Sequence, residues 1–448
     1  MSDIPIKELL KCHPLYNPAR MLPSGASRGV LDVYQELYEG GILFANKKQT
    51  YLRPRQADSN PEYLKVRLAC AEFMPTAGPI IDWSAGQCVI EMPRIEGDEF
   101  YEDLTKDMDG NGTDLEEQVR SLAKTGMVHL RAYIAVGFPK NDPSATNLKD
   151  AKESGGLDAQ ICTYDPAMVE DWTYDTQGNL NFVRTHTIEV PQAGNLPGDM
   201  EKHCWTFIYP TYSEEYTAEK KVAEKSWTDK AVAKSSGKTD YDYGGQLPVI
   251  QPNFAEGLWA MNRVASPEID VFNLSTGLTF LDEAVCFQQL VIISDGEVKG
   301  VATSEKIAIH LPINSTINWL APSMAPLADI DRQVDAKRQK IKETLLSIGL
   351  TASNDRYGQQ SGEAKKEAKQ PAVDMLTCYK SPIKDAYEKA LKLIKYVRKE
   401  DELELKLLGL GGIEDKEAKA EEALELQTQQ AELNKPEKNS LDKSTSKE

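Results

Sequence analysis

Cysteine is scarce in this chain, and none of it falls in a pattern that chemistry would recognise. Cys12, Cys70, Cys88, Cys162, Cys204, Cys286 and Cys378 are scattered over 448 residues, 7 in all, never in a CxxC spacing. That argues against a disulfide framework and a structural zinc centre, and for synthesis in a reducing cytoplasm. Long apolar runs are missing too. No stretch approaches the roughly 18 apolar residues of a membrane span, and MSDIPIKELL lacks the apolar centre of a signal peptide. A soluble protein with no membrane partner is expected. Positive charge is also short: 52 Lys and Arg stand against 70 Asp and Glu, a net charge of −18. Gripping nucleic acid through many phosphates needs clustered cations, so DNA, if handled at all, is handled without clinging.

Catalytic signatures are likewise absent, so no catalytic residue and no cofactor is assigned. Gly237-Lys238-Thr239 resembles the end of a P-loop, but Val232 stands where the first glycine must fold the loop round phosphate. His13, His129, His186, His203 and His310 show no ligand spacing such as HExxH and read as structural histidines. No Ser, Cys or Thr sits in a nucleophile elbow. The nearest approach to a metal site is Asp107, Asp109 and Asn111 followed by Gly112, the first half of an EF-hand loop. Its twelfth position is Gln118, which lacks the carboxylate that would complete a calcium shell. The metal assignment is therefore none, and an Asp/Gly turn is the better reading. Two alternative functions stay open at this point. A soluble enzyme of an unrecognised family would need clustered titratable groups, and a calcium-binding interaction module would rest on the Asp107 loop.

What is present is enough apolar residue, 40%, to fill the cores of two or three domains. Residues 30–38 read as a helix closed by Gly40 and Gly41, and 61–74 as a helix started by Pro61. Thr113 with Glu116 forms a capping-box pattern ahead of a helix, and MVHLRAYIAVGFP follows as a buried strand. Residues 158–216 are rich in aromatic and β-branched residues and read as an antiparallel sheet, with a turn at Gln177-Gly178. Lys220, Lys221, Lys225, Lys230, Lys234 and Lys238 read as a solvated face. Ser266, Pro267 and Glu268 look like the N-cap and first turn of a long helix carrying Ile269, Phe272, Leu278, Leu281, Val285 and Phe287. LVIIS and KIAIHLP, turned at Asp295-Gly296, precede STINWLAP and a helix over 327–348. Pro371 and then Ser381-Pro382 are expected to break the following helical stretch at 372–397. From Asp401 onward 13 acidic residues outnumber 7 basic ones, and the end should be disordered.

Taken in order, YLRPRQADSNPEYLKVRLACAEFMP, FYEDLTKDMDGNGTDLEEQVRSLAKTGMVHLRAYIAVGFP, the YDP and DW strands, QLPVIQPN, SPEIDVFNLSTGLTFLDEAVCFQQL and SGEAKKEAKQP resemble the tailed-bacteriophage portal proteins, the head-tail connectors. The resemblance covers roughly residues 50 to 395 and lies in the series of degenerate motifs, not in any one of them. It implies a non-enzymatic homo-oligomeric ring, usually of about twelve subunits, at one capsid vertex of the virion. Double-stranded DNA would pass through it, without sequence preference, during packaging and ejection. The large terminase motor, the major capsid and scaffolding proteins and a head-tail adaptor would dock on it.

The implied fold is α+β and portal-like, with an α/β wing, a helical stem with a short β clip, and a helical crown. Its expected parts are an N-terminal arm (1–56), a wing with an antiparallel sheet (57–245), and a stem helix with an abbreviated clip (246–312). A channel-facing strand, loop and long wing helix (313–350), crown helices (351–398) and an acidic, partly disordered tail (399–448) complete it. Pro322, Ser323, Met324, Ala325 and Pro326 are the expected DNA-channel loop, being small and uncharged. One departure stands out: little chain separates the Pro267 helix from the strand at Asn314. Either the clip is short or the stem assignment is shifted.

Overall fold

The computed structural model describes residues 3–138, 158–189, 200–224, 226–228, 230–286, 289–293, 316–320, 325–347, 362–400 and 402–411. Strand β1 (Ile4–Pro5) and the single turn α1 (Ile6–Leu9) begin the chain, and the β2 (Ala19–Met21) and β3 (Ser27–Gly29) ladder leads into α2 (Val30–Glu39). That helix stops at Gly40, whose φ of 62° costs glycine little and whose amide donates to the Glu36 carbonyl. The short turns α3 (Gly41–Ala45) and α4 (Lys48–Tyr51) follow. Helix α5 (Pro61–Ala69) starts as its sequence requires, with Pro61 in the first turn and the Asn60 side chain accepting from the Glu62 amide at 3.0 Å.

Next come α6 (Ala77–Gln87), β4 (Arg94–Glu96), α7 (Glu99–Lys106) and α8 (Leu115–His129). Gly78 lets α6 press onto α2, since a Cβ there would stand 2.4 Å from the Tyr38 carbonyl oxygen. Two details of α8 correct the sequence reading. Its N-cap is Asp114, which accepts from the Glu117 amide at 2.7 Å, because the Thr113 hydroxyl is already donated to Asp109. Met127, Val128 and His129 belong to the helix, which ends at left-handed Leu130, so β5 is only Tyr133–Gly137.

Strands β6 (Gln160–Tyr164), β7 (Val169–Tyr174), β8 (Leu180–Glu189), β9 (Met200–Ile208), β10 (Tyr212–Lys221) and β11 (Val232–Asp240) occupy the β-rich stretch. Five of them join β1 in an antiparallel sheet ordered β1-β11-β10-β9-β8-β7, while β6 pairs with β5, which also holds β12 (Val249–Ile250). The expected turn is there: Asp175 accepts from the Gln177 and Asn179 amides. In the lysine-rich stretch, Lys220 and Lys221 close β10 and Lys234 and Lys238 lie in β11. One face of the large sheet packs Val169, Trp172, Val183 and Ile208 against Tyr133 and Val249. The other packs Trp205, Tyr216 and Ala233 against Ile6 and Leu9 of the N-terminal arm.

The long helix α9 spans Ala260–Cys286, so it begins two turns before the expected cap, and Pro267 lies in its interior. Ser266 caps nothing there; its hydroxyl accepts from Arg20 at 2.7 Å. Ala260, Met261, Val264 and Ala265 are buried in the main core, and that burial outweighs the hydrogen bond Pro267 removes. Strand β13 (Gln289–Ile293) pairs antiparallel with β14 (Thr316–Leu320), with Gln289 opposite Leu320. Helix α10 (Ala325–Ser347) therefore returns along α9, and Lys337 meets Asp270 across the pair at 2.7 Å. KIAIHLP and the Asp295-Gly296 turn lie outside the described residues.

Helix α11 (Gly362–Arg398) runs straight through Pro371 and Pro382, against the expectation of two breaks. Leu376, Tyr379, Ile383, Tyr387, Ala390 and Ile394 are buried along one side, and that packing holds the helix together past Pro382. The predicted tail boundary at 399 also moves. Strand β15 (Lys406–Leu408) pairs with β4, and Leu407, Leu408 and Leu410 are buried, so residues 402–411 belong to the fold.

Candidate functional site

The α9–α10 hairpin is the candidate, and it is built from a narrow apolar stripe. On α10, Leu327, Val334, Ile341 and Leu345 are buried, while Asp329, Asp331, Arg332, Asp335, Gln339, Lys342 and Glu343 are exposed. Spacings of seven, seven and four residues place these four side chains on one side of the helix, the seam of a two-helix pair. At 1.5 Å per residue the two limbs are roughly 40 and 35 Å long. The exposed side of α10 carries both signs of charge, a surface that neither attracts nor repels a polyanion strongly.

The root of the hairpin is fastened by polar groups on α9. Asp270 accepts from Arg53 at 2.6 Å and from Lys337 at 2.7 Å, joining the arm, α9 and α10. Asn273 accepts from the Arg53 amide at 2.8 Å and donates to the Tyr51 carbonyl at 2.9 Å. Glu268 is fully buried, and its Oε1 accepts from the Thr76 amide at 3.0 Å and the Ala77 amide at 2.6 Å, so it caps α6 from another helix. Burial pushes its carboxyl up to about 7 even though the two amide hydrogen bonds favour the anion.

The sequence-named residues fall elsewhere. Asp107 accepts from the Gly110 and Gly112 amides at 2.8 and 2.9 Å, and Asp109 from the Asn111 amide at 2.9 Å and the Thr113 hydroxyl at 2.8 Å. The loop is a self-satisfied Asx turn. Gln118, at the position a calcium loop would need for a carboxylate, is buried between the Ile161 carbonyl and the Tyr387 hydroxyl. Among the described residues no cluster of three or more His, Cys, Asp or Glu is placed to hold a metal. Of the expected channel loop, Pro322, Ser323 and Met324 lie outside the described residues, and Ala325 and Pro326 are not loop: they form the first turn of α10, where proline is tolerated. Lys238 lies in β11 and pairs with Asp240 at 2.8 Å, far from any phosphate-cradling loop geometry.

His13 stacks on Trp172, and His129 meets Gln35 at 2.8 Å, with burial holding its imidazole down at about 4. His186 and His203 touch each other at 2.9 Å, a juxtaposition no spacing revealed. His310 lies outside the described residues. Sequence reasoning took Glu268 for a first-turn residue of its own helix. A carboxylate inside an apolar segment was the signal that could have marked it as a buried tie.

No protein-family model matches the chain, and no curated protein matches it. Among solved structures it is similar to a chain in the virion of a native gene transfer agent particle, at 14% identity, covering 86% of this chain and 91% of that one with a TM-score of 0.37. It is also similar to a chain in the neck of an empty gene transfer agent particle computed with C6 symmetry, at 13% identity, 82% and 88% coverage and a TM-score of 0.39. A third similarity is to the neck of a native particle computed with C12 symmetry, at 11% identity, 74% and 81% coverage and a TM-score of 0.36. TM-scores this low carry neither fold nor function across.

Proposed function

We propose that the chain is a portal-type subunit, one of a ring at a capsid vertex through which double-stranded DNA enters and leaves. The observation that carries this reading is the α9–α10 hairpin. A long helix leads into a β ladder and returns as a second long helix packed on the first through a narrow seam. That is a two-limbed stem ending in a strand-built clip. It answers the shortage of chain noted in the sequence, because α10 serves as the second stem limb instead of a wing helix. The domain scheme then becomes a wing built on the six-stranded sheet, a stem of α9 and α10 joined by β13 and β14, and α11 continuing toward the crown.

The remaining support is the order of motifs along the sequence and the net charge of −18, which suits a wall that DNA slides past. In this reading the exposed side of α10 faces the channel. The packaging motor, capsid and scaffolding proteins and a head-tail adaptor are the partners, and no chemistry belongs to the chain itself. Negative-stain electron microscopy and native mass spectrometry of the purified protein test it. Closed rings are expected. A single-chain species alone at micromolar concentration overturns the reading.

A further inference from the structure

The N-terminal arm crosses the large sheet from edge to edge. At one edge Ile4 pairs with Ala233 of β11, and Ile6 and Leu9 are then buried over Trp205 and Tyr216. At the other edge the His13 amide donates to the Glu170 carbonyl of β7 at 2.9 Å, and the Lys11 carbonyl accepts from Arg184 at 2.8 Å. The Tyr16 hydroxyl donates to the Ala167 carbonyl at 2.5 Å. Residues 4–16 are a strap.

Beneath the strap a row of polar side chains runs across four strands. His186 stands opposite Trp205 in the ladder, and Glu201, His203 and Trp205 alternate along β9, so all point to the strap's face. Glu170 Oε1 lies 2.8 Å from His186 Nδ1, His186 Nε2 lies 2.9 Å from His203 Nδ1, and His203 Nε2 lies 3.1 Å from Glu201 Oε1. Lys220 ends the row at 2.8 Å from Glu201, and Arg184 approaches Glu170 at 3.5 Å.

The hydrogens in this row can be counted. Three contacts need three hydrogens, one each. Two neutral imidazoles supply two, and two carboxylates supply none. We infer that the Glu170–His186–His203–Glu201 row binds one proton beyond that neutral state, and that this proton latches the N-terminal strap to the sheet.

The proton has one good place. Burial lowers the basicity of His203, which favours the neutral ring there, accepting at Nδ1 and donating from Nε2 to Glu201. The added hydrogen then lies in the His186–Glu170 contact, with His186 bonded to Glu170 on one side and to His203 on the other and its ring stacked on Trp205 at 4.7 Å and an interplanar angle of 5°. The charged and titratable groups around the row are Glu170 and Asp171 from β7, Arg184 from β8, Glu201 from β9, Lys220 from β10, and Cys12 and Tyr16 from the strap. When the proton leaves to solvent, Glu170 loses its hydrogen bond to His186. Arg184 is drawn in from 3.5 Å to replace it and gives up the Lys11 carbonyl, which frees the strap at that edge.

Amide hydrogen exchange of the full chain, read by mass spectrometry on the peptide covering residues 4–16 and corrected for intrinsic rates, tests this. In the wild type, exchange of the strap should be about tenfold or more faster at pH 8.5 than at pH 6. In Glu170→Gln, the new amide donates to His186 Nδ1 while its carbonyl faces Arg184. All three contacts then close with two neutral imidazoles, and the strap should stay protected at both pH values. Glu201→Gln closes the row from the other end and should behave alike. Equal wild-type protection at both pH values overturns the inference. So does a Glu170→Gln strap that responds to pH as the wild type does, or a strap left unprotected at pH 6 in both variants.

Discussion

Glu268 Oε1 accepts the Ala77 amide at 2.6 Å, so a side chain from the middle of α9 closes the N-terminus of α6, 191 residues away in sequence. Its Oε2 is buried and meets no hydrogen-bond partner among the described residues. A tie of this kind joins the proposed stem to the body of the molecule, and it is sensitive to protonation because burial opposes the anion.

The Glu268 carboxyl is raised to about 7 from an unfolded value of 4.5. The stability linked to its proton is therefore fully present below the unfolded value and is lost as pH rises through about 7. The wild type should lose on the order of 3 kcal/mol from this group between pH 4.5 and 8. Glu268→Gln keeps an acceptor for both amides and cannot ionise, so the difference between the two proteins in urea midpoint should shrink or reverse toward pH 8. A pH-independent difference would refute the assignment.

Ile341 is fully buried in the seam between α9 and α10. Ile341→Ala should cost about 3 kcal/mol by leaving a cavity, whereas Gln339→Ala on the exposed side should change stability by less than about 0.5 kcal/mol. Thermal unfolding of both variants checks the pairing. Similar effects from the two would mean that α10 does not pack on α9 through this stripe.

Asp109 serves its own turn and not a metal. Asp109→Ala should cost about 1 kcal/mol through the lost hydrogen bonds to Asn111 and Thr113. Millimolar calcium should leave the melting temperature of the wild type unchanged. A calcium-dependent rise that vanishes in Asp109→Ala would restore the calcium-module reading.

The C-terminal boundary can be placed by truncation. A chain ending after Gly411 should melt like the full chain, because β15 and the buried Leu407, Leu408 and Leu410 are retained. A chain ending after Lys399 loses Leu407, Leu408 and Leu410 and should be destabilised by several kcal/mol, at roughly 1.5–3 kcal/mol per buried leucine. Equal stability of the two would show that the β4–β15 ladder contributes nothing.

Local chemistry was legible in the sequence at several turns and helix ends, though not at the Thr113 and Ser266 caps, where Asp109 and Arg20 take the hydroxyls instead. Gly40 ends α2, Pro61 starts α5, Gly178 sits in the β7–β8 turn at a φ of 83°, and the aromatic and β-branched stretches form the antiparallel sheet, because each depends on backbone conformation within a few positions. The candidate hairpin was only half legible. Its two helices showed by periodicity, but their pairing did not, since which apolar stripe meets which is decided by shape in three dimensions.

Tertiary packing overruled local signals at the prolines. Pro267, Pro371 and Pro382 read as boundaries, yet all three lie inside helices, where at Pro267 and Pro382 burial on either side outweighs one missing hydrogen bond. It also assigned the polar partners. Glu268, Asp270, His186 and His203 are ordinary residues in one dimension, and only the fold brings them to Ala77, Lys337, Glu170 and Glu201. The sequence settled the net charge of the chain and its lack of recognisable catalytic motifs, because those are sums and short patterns along the chain. Which buried groups share a proton was decided by strand register and helix contact, because hydrogen bonds form across distances in space that sequence separation does not record.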